Sequence, residues 1–328
     1  MSDAKILTLE NEITRLKKEK NAIILGHYYQ SDDIQDIADF IGDSLDLSKK
    51  AANTNADVIV FCGVKFMAEV AKILNPTKTV LVPDINAGCS LEESCQPAAF
   101  AQLLKKHPDH IVISYINCSA EIKAMSDIIV TSSNAEKIIN NIPKNKQIIF
   151  APDKYLGSYL QKKTGREMLL WQGSCIVHEQ FSYKSLIKLK TRYPDAHIIA
   201  HPECPEQLLK EANFIGSTSG LINFVKQHQG DDFIVLTEPG IIHQMKKYSA
   251  KSNFIEVPNI SQDNVQCVNC NICPHMRLNT IEKLYLSLKN NSPEIILNDD
   301  ILNKAKMPLD KMLLLSQKET IKLESRYV

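Results

Sequence analysis

Three stretches of this chain repeat one another in register, and a chain that repeats itself threefold builds three copies of one small fold. The first is Ala22-Ile-Ile-Leu-Gly-His-Tyr-Tyr29, followed by a helical stretch and Gly42-Asp-Ser44. The second is His110-Ile-Val-Ile-Ser-Tyr-Ile-Asn117, then a helical stretch and Thr131-Ser-Ser133. The third is Ala196-His-Ile-Ile-Ala-His-Pro-Glu203, then a helical stretch and Gly216-Ser-Thr218. Each opens with an Ile-rich apolar run, which suits a buried parallel strand. His27 to Ser44, Tyr115 to Ser132 and His201 to Thr218 each span 17 positions. Three polar sets therefore occupy matching places: His27/Tyr115/His201, Tyr29/Asn117/Glu203 and Ser44/Ser132/Thr218.

Further strands are predicted at Val58–Phe61, Ile148–Phe150 and Phe233–Leu236, and then at Val80–Val82, Met168–Leu170 and Phe254–Val257. Strand alternating with helix predicts parallel βαβ units. The expected fold is three Rossmann-like α/β/α layered domains around a pseudo-threefold axis and a central cavity. The units are placed at residues 1–88, 89–174 and 175–266. Residues 267–328 form a last segment that carries a final cysteine ligand, with a helical tail packing back on the repeats. Pro293 and Pro308 are read as breaks in that tail.

Composition removes several classes. Lys plus Arg and Asp plus Glu number 38 each. A nucleic-acid binder carries a basic excess, so no nucleic-acid partner is expected. No apolar run approaches the length of a membrane span. The first twenty residues are polar, without a signal-peptide core. The chain is expected in the cytoplasm, where nine cysteines point to metal binding or catalysis rather than to disulfides.

The cysteines punctuate the units. Cys89 follows the last strand of unit one, Cys175 that of unit two, and Cys267-Val-Asn-Cys270-Asn-Ile-Cys273-Pro274 follows unit three. Cys95 is the rival to Cys89, but Cys89 fits the strand-end register better, and Cys273 is preferred among the last three. Cys62 and Cys118 read as buried fillers. The Cys-x-x-Cys-x-x-Cys run alone stays ambiguous between a zinc site, with His275 nearby, part of an iron–sulfur motif and a redox pair of Cys267 and Cys270. The other arrangement is one thiolate from each unit. Three thiolates on a four-iron cluster leave one iron open as a Lewis acid, which favours dehydration or condensation over electron transfer.

Ligands of parallel sheets bind beyond the carboxyl ends of the strands, where all three polar sets and the cysteines fall. Ser44, Ser132 and Ser217/Thr218 read as helix N-caps, and a helix N-terminus suits phosphate or carboxylate. A single such serine is an ordinary cap; recurrence in three units beside His and Tyr is what singles these out. His178, three residues after Cys175, reads as a structural residue of a helix or a contact of the site from behind. Trp171 reads as packing, and Lys144–Lys146 as a solvated face.

These residues resemble the quinolinate synthase family over nearly the whole chain. The matching motifs are Gly26-His-Tyr-Tyr29, Gly42-Asp-Ser44, Phe61-Cys-Gly-Val-Lys-Phe-Met-Ala-Glu69, Pro83-Asp84 with Ala87-Gly-Cys-Ser-Leu91, Tyr115-Ile-Asn117, Trp171-Gln-Gly-Ser-Cys-Ile-Val-His-Glu179, His201-Pro-Glu203, Ser217-Thr218 and Cys273-Pro-His-Met-Arg-Leu-Asn-Thr280. The resemblance implies a central [4Fe–4S] cluster on Cys89, Cys175 and Cys273. It implies condensation of iminoaspartate with dihydroxyacetone phosphate to quinolinate, phosphate and water, with a functional link to an L-aspartate oxidase. By position, His201, Ser217 and Thr218 would hold carboxylates, and Ser44 and Ser132 the triose phosphate. Tyr29 and Tyr115 would serve proton transfer, Glu203 would be the general base or acid, and His27 and Asn117 would orient oxygens. Two other classes compete: an aconitase-like hydro-lyase, and a non-enzymatic iron–sulfur or zinc sensor.

Overall fold

The structure, a computed structural model, describes residues 3–259 and 271–317, with side chains from residue 8 onward. Among the described residues twelve strands form three four-stranded parallel sheets. The first holds β1 (Ala22–His27), β2 (Phe40–Gly42), β3 (Val58–Cys62) and β4 (Thr79–Leu81). The second holds β5 (Ile111–Tyr115), β6 (Ile128–Val130), β7 (Ile148–Ala151) and β8 (Leu169–Leu170). The third holds β9 (His197–Ala200), β10 (Phe214–Ile215), β11 (Phe233–Leu236) and β12 (Phe254–Glu256). The strand orders are β2-β1-β3-β4, β6-β5-β7-β8 and β10-β9-β11-β12, one pattern three times. The three expected α/β units are present.

The second strand of each unit was not among the predicted ones. These are two or three residues long, too short for a periodicity signal. A polar residue before each explains why it forms. The Asp39 N–H donates to the Ile24 carbonyl (2.9 Å) and its Oδ2 accepts the Ile24 N–H (2.8 Å). Asp127 makes the same pair with Val112, and Asn213 with Ile198. One clamp recurs at the same register in all three units. It pins the second strand to the first and so places the segment that follows, which carries Ser44, Ser132 or Thr218.

Alternation along the first strands explains the packing. Leu25, Ile113 and Ile199 occupy equivalent positions, and all three join one hydrophobic cluster shared by the units. Their neighbours Ile24, Val112 and Ile198 point the other way, each into a separate outer cluster. Each sheet thus has an inner face turned to the common core and an outer face covered by helices. Helices Asp3–Glu19 and Ile281–Asn290 cover the first through Ile13, Leu16, Leu284 and Leu288. Full burial of each such side chain stabilises by about 1.5–3 kcal/mol.

The tail differs from expectation at one proline. Pro308 lies inside a continuous helix, Asp299–Gln317, rather than breaking it. Ala305, Leu309, Met312 and Leu315 are buried at helical spacing and join the shared cluster. That packing outweighs one lost backbone hydrogen bond. Pro293 does fall between the two tail helices. Among the described residues no helix is long and apolar enough to cross a membrane.

Candidate functional site

The strand ends of all three units meet at one cavity. His27 and Tyr115 end β1 and β5, and His201 follows β9 by one residue. These three, with Tyr29, Asn117, Glu203, Ser44, Ser132, Thr218, Cys89, Cys175 and Cys273, line that cavity. Ser217 is the one site residue of the sequence reading that does not; its Oγ accepts the Gly220 N–H at 3.2 Å and caps the helix Thr218–Gln227.

The capping expectation holds only at Ser217. Ser44 is the first helical residue, and the cap of Ser44–Ala52 is Asp43, which accepts the N–H groups of Leu45 and Asp46. Ser132 precedes a helix that starts at Ala135 with Asn134 at the cap position. Ser44 and Ser132 line the cavity without serving as caps.

Each of the three thiols opens a short helical turn, and backbone N–H groups two or three residues on point back at the sulfur. Leu91 and Glu92 serve Cys89, His178 serves Cys175, and His275 and Met276 serve Cys273. Burial pushes all three thiols up, Cys273 to about 11; Cys273 adds to the shift of Cys89, Cys89 and Cys273 add to that of Cys175, and Glu238 adds to that of Cys273. Three buried sulfurs with N–H groups aimed at them suit a bound cationic group, which would offset the burial. Cys62 and Cys118 are fully buried, as expected of fillers. Cys95 ends the helix Ser90–Ser94 instead of starting one and is buried beside Phe100. Cys267 and Cys270, and with them the local zinc and disulfide readings, lie outside the described residues.

The imidazoles are arranged alike in units one and three. His27 Nδ1 accepts the Tyr29 N–H (3.2 Å), and His201 Nδ1 accepts the Glu203 N–H (3.4 Å). Burial lowers both rings, His27 to about 4 and His201 to about 3. Both are therefore neutral, with the hydrogen on Nε2 free for a ligand oxygen. Asn117 Oδ1 and Thr131 Oγ1 are buried without partners beside the same space, as expected of groups that await a ligand.

Glu203 is the electrostatic centre. Tyr115 Oη donates to its Oε1 at 2.6 Å, and His178 Nδ1 lies 2.9 Å from its Oε2. Burial alone would push this carboxyl up; the hydrogen bonds from His178 and Tyr115 favour its ionised form and oppose that. Burial, then Glu203, pushes the Tyr115 phenol well above its ordinary value, and Tyr29 is raised likewise. Both phenols keep their protons and can donate them.

His178 is a residue the sequence reading undervalued. Its Nδ1 lies 3.2 Å from Cys175 Sγ, and its Nε2 2.9 Å from Thr237 Oγ1. The Cys-x-x-His spacing on one turn was the available signal. Glu238 was missed altogether. It is fully buried, its Oε1 accepts the Cys273 N–H at 3.3 Å with Arg277 Nη2 at 3.6 Å, and burial pushes it up to about 7. Ligand atoms of Cys175, His178 and Glu203 lie within 4.8 Å of one another, a set able to hold a metal ion.

The fold and site together define an enzyme of three α/β units closing on one buried cavity of thiol, imidazole, phenol and carboxyl groups. The family model described as Quinolinate synthetase A protein matches residues 11–314. A quinolinate synthase of Ehrlichia chaffeensis is 59% identical over 316 residues, covering 96% of this chain and all of the relative. One of Synechocystis is 60% identical over 308 residues, covering 94% of this chain and 95% of the relative. The chain belongs to the quinolinate synthase family.

Proposed function

We propose that the chain condenses iminoaspartate with dihydroxyacetone phosphate to give quinolinate, phosphate and water, as a cytoplasmic enzyme of NAD biosynthesis. The observation that carries this reading is the convergence of three thiols, one from the end of each unit, with matched polar sets on one cavity. Cys89, Cys175 and Cys273 would hold a [4Fe–4S] cluster. Their soft donor set fits it, and His178 and Glu203 already have partners among themselves, Thr237 and Tyr115. When bound, the cluster supplies an open iron that acts as a Lewis acid.

The chain supplies the rest. The Nε2–H groups of His27 and His201, with Thr218, donate to substrate carboxylate and carbonyl oxygens. The Ser44 and Ser132 hydroxyls hold the phosphate. Asn117 Oδ1 accepts a substrate hydroxyl or N–H. Glu203, ionised and pointed into the cavity, takes protons from carbon during the isomerisation and dehydrations. The Tyr29 and Tyr115 phenols protonate leaving hydroxyls. The substrate imine hydrolyses readily in water, so an enzyme that oxidises L-aspartate must supply it nearby. The test is anaerobic: the iron-loaded chain, given dihydroxyacetone phosphate and enzymatically generated iminoaspartate, forms quinolinate. A fully loaded chain that forms none refutes the reading.

A further inference from the structure

Two of the three cavity cysteines are tied together by one hydroxyl. Ser90 follows Cys89 and opens the helix Ser90–Ser94. Its Oγ donates to the Ser174 carbonyl at 3.3 Å and accepts the Ile176 N–H at 3.1 Å. These two residues flank Cys175. One side chain of the Cys89 turn therefore grips the backbone on both sides of Cys175, 84 and 86 positions away. A hydroxyl has one proton to give and lone pairs to receive another, so both bonds form at once.

The rest of this seam presses the same two segments together. Trp171 Nε1 donates to the Ser94 carbonyl at 3.0 Å. A Cβ added at Gly173 would collide with Ser94 Oγ and with the Pro152 carbonyl oxygen, so only glycine allows the approach. The Gly173 carbonyl accepts the Lys154 N–H at 2.9 Å, which seats the Cys175 segment on unit two just beyond β7. Cys273 is anchored elsewhere. Its N–H donates to Glu238 Oε1 at 3.3 Å, past the end of β11. The helix itself has no use for the Ser90 hydroxyl as a cap, because Cys89 holds the cap position. The residues that follow Cys175 and Cys273 are Ile176 and Pro274, which have no hydroxyl, so Ser90 has no counterpart in the other two turns.

We propose that Ser90 is a positioning residue of the metal site, whose hydroxyl holds the Cys89 and Cys175 turns at the spacing a shared cluster needs. Thiols supplied by separate units bind one group tightly only if their backbones are already in place, since ordering them at the moment of binding costs affinity. The Ser90 bonds run between protein groups alone, so they persist in the cluster-free chain. Cys89 and Cys175 thus stand as a preformed pair, and Cys273 completes the set from its own anchor. With alanine at position 90 the Ile176 N–H turns to water, the two turns part more easily, and iron leaves sooner.

The inference rests on the ligand set proposed above, and its test reads iron rather than product. Full-length chains loaded with iron and sulfide are kept free of oxygen beside the ferrous chelator bathophenanthroline, and the release of iron is timed. Ser90→Ala is expected to release iron about tenfold faster than wild type, as contacts that support metal ligands do when removed. Ser90→Thr keeps the hydroxyl and should stay within about threefold of wild type. Ser94→Ala loses only a bond inside its own turn, to the Leu91 carbonyl at 2.8 Å, and should stay within about twofold. The cluster-free Ser90→Ala chain should melt within about 3 °C of wild type, as a fold left intact requires. Release from Ser90→Ala within about twofold of wild type overturns the proposal. So does equally fast release from Ser90→Thr or Ser94→Ala, which would assign the effect to the packing of the turn and not to the hydroxyl. Should Ser90→Ala take up no iron, uptake by Ser90→Thr supports the proposal and its failure there overturns it. A wild-type chain that holds its iron but makes no quinolinate refutes the function alone, and the order of iron release then decides Ser90. A wild-type chain that holds no iron refutes the ligand set, and the role of Ser90 with it.

Discussion

The Tyr115 phenol donates to Glu203 Oε1 at 2.6 Å, so units two and three share one buried hydrogen bond at the floor of the cavity. If Glu203 is the base, Glu203→Gln keeps the shape and the Tyr115 partner but cannot take a proton. It is expected to lower kcat by about 10²–10⁴-fold with iron content unchanged. Tyr115→Phe, which leaves the carboxylate in place, is expected to lose less. Steady-state kinetics with iron analysis on both variants checks this ordering.

The buried imidazoles make stability depend on pH. His27 is lowered to about 4 and His201 to about 3, by burial in each case. Both values lie below the unfolded one of about 6.5. As pH falls below about 6.5 the unfolded chain binds protons that the folded chain refuses, so stability drops. Each ring adds a slope of up to about 1.4 kcal/mol per pH unit, ending near pH 4 for His27 and near pH 3 for His201. Urea unfolding of the cluster-free chain between about pH 7 and pH 5 is expected to show this loss. His27→Gln should make the slope shallower, and an unchanged slope would count against a neutral buried ring.

The three cavity thiols should behave as a set. Burial keeps them protonated in the cluster-free chain, so alkylation by iodoacetamide is expected to be slow at neutral pH and to quicken as pH rises. Reconstitution with iron and sulfide should yield about four irons per chain, as the proposed cluster demands. Cys89→Ser, Cys175→Ser and Cys273→Ser should each fail to retain it. Cys95→Ser should retain it, because Cys95 packs against Phe100 outside the cavity. Retention in any of the first three would remove that residue from the ligand set.

Asp153 offers a test of the scaffold. Its Oδ1 accepts the N–H groups of Tyr155 (2.7 Å) and Leu156 (2.8 Å) and caps the helix Lys154–Thr164. Its Oδ2 is buried without a partner, and burial, then Glu203, pushes the carboxyl well above its usual range. Asp153→Ala removes the cap and should cost about 1 kcal/mol. Asp153→Asn keeps the cap and should cost less at neutral pH. With its folded value raised, wild-type Asp153 favours folding more as pH falls, so the cost of Asp153→Asn relative to wild type should grow on acidification. Thermal melting at two pH values reads this.

Much of this was legible in the repeat. The 17-residue interval from His27 to Ser44 and its two copies placed the matched polar sets correctly because parallel pairing between first and second strands runs at a constant offset: His27 pairs with Gly42 and Tyr115 with Val130. The second strands themselves were not legible. They are held by the Asp39, Asp127 and Asn213 clamps rather than by apolar periodicity. Extending the same register past the third strands would have put Asp153 and Glu238 at equivalent places, two buried acids that composition alone hides. Thr237 escaped for another reason. Its hydroxyl lies 2.6 Å from the phenol of Tyr29, 208 positions away in sequence, and no local pattern encodes such a contact. Pro308 was misread because a breaker signal is local, whereas the packing of Leu309 and Met312 that overrides it is not.

The most direct measurement follows both products of the proposed reaction in one anaerobic incubation of the iron-loaded chain with dihydroxyacetone phosphate and enzymatically generated iminoaspartate. Quinolinate and inorganic phosphate should appear in equimolar amounts, and both should fall together in Glu203→Gln. Phosphate without quinolinate, or neither product from a chain with its full complement of iron, would contradict the account.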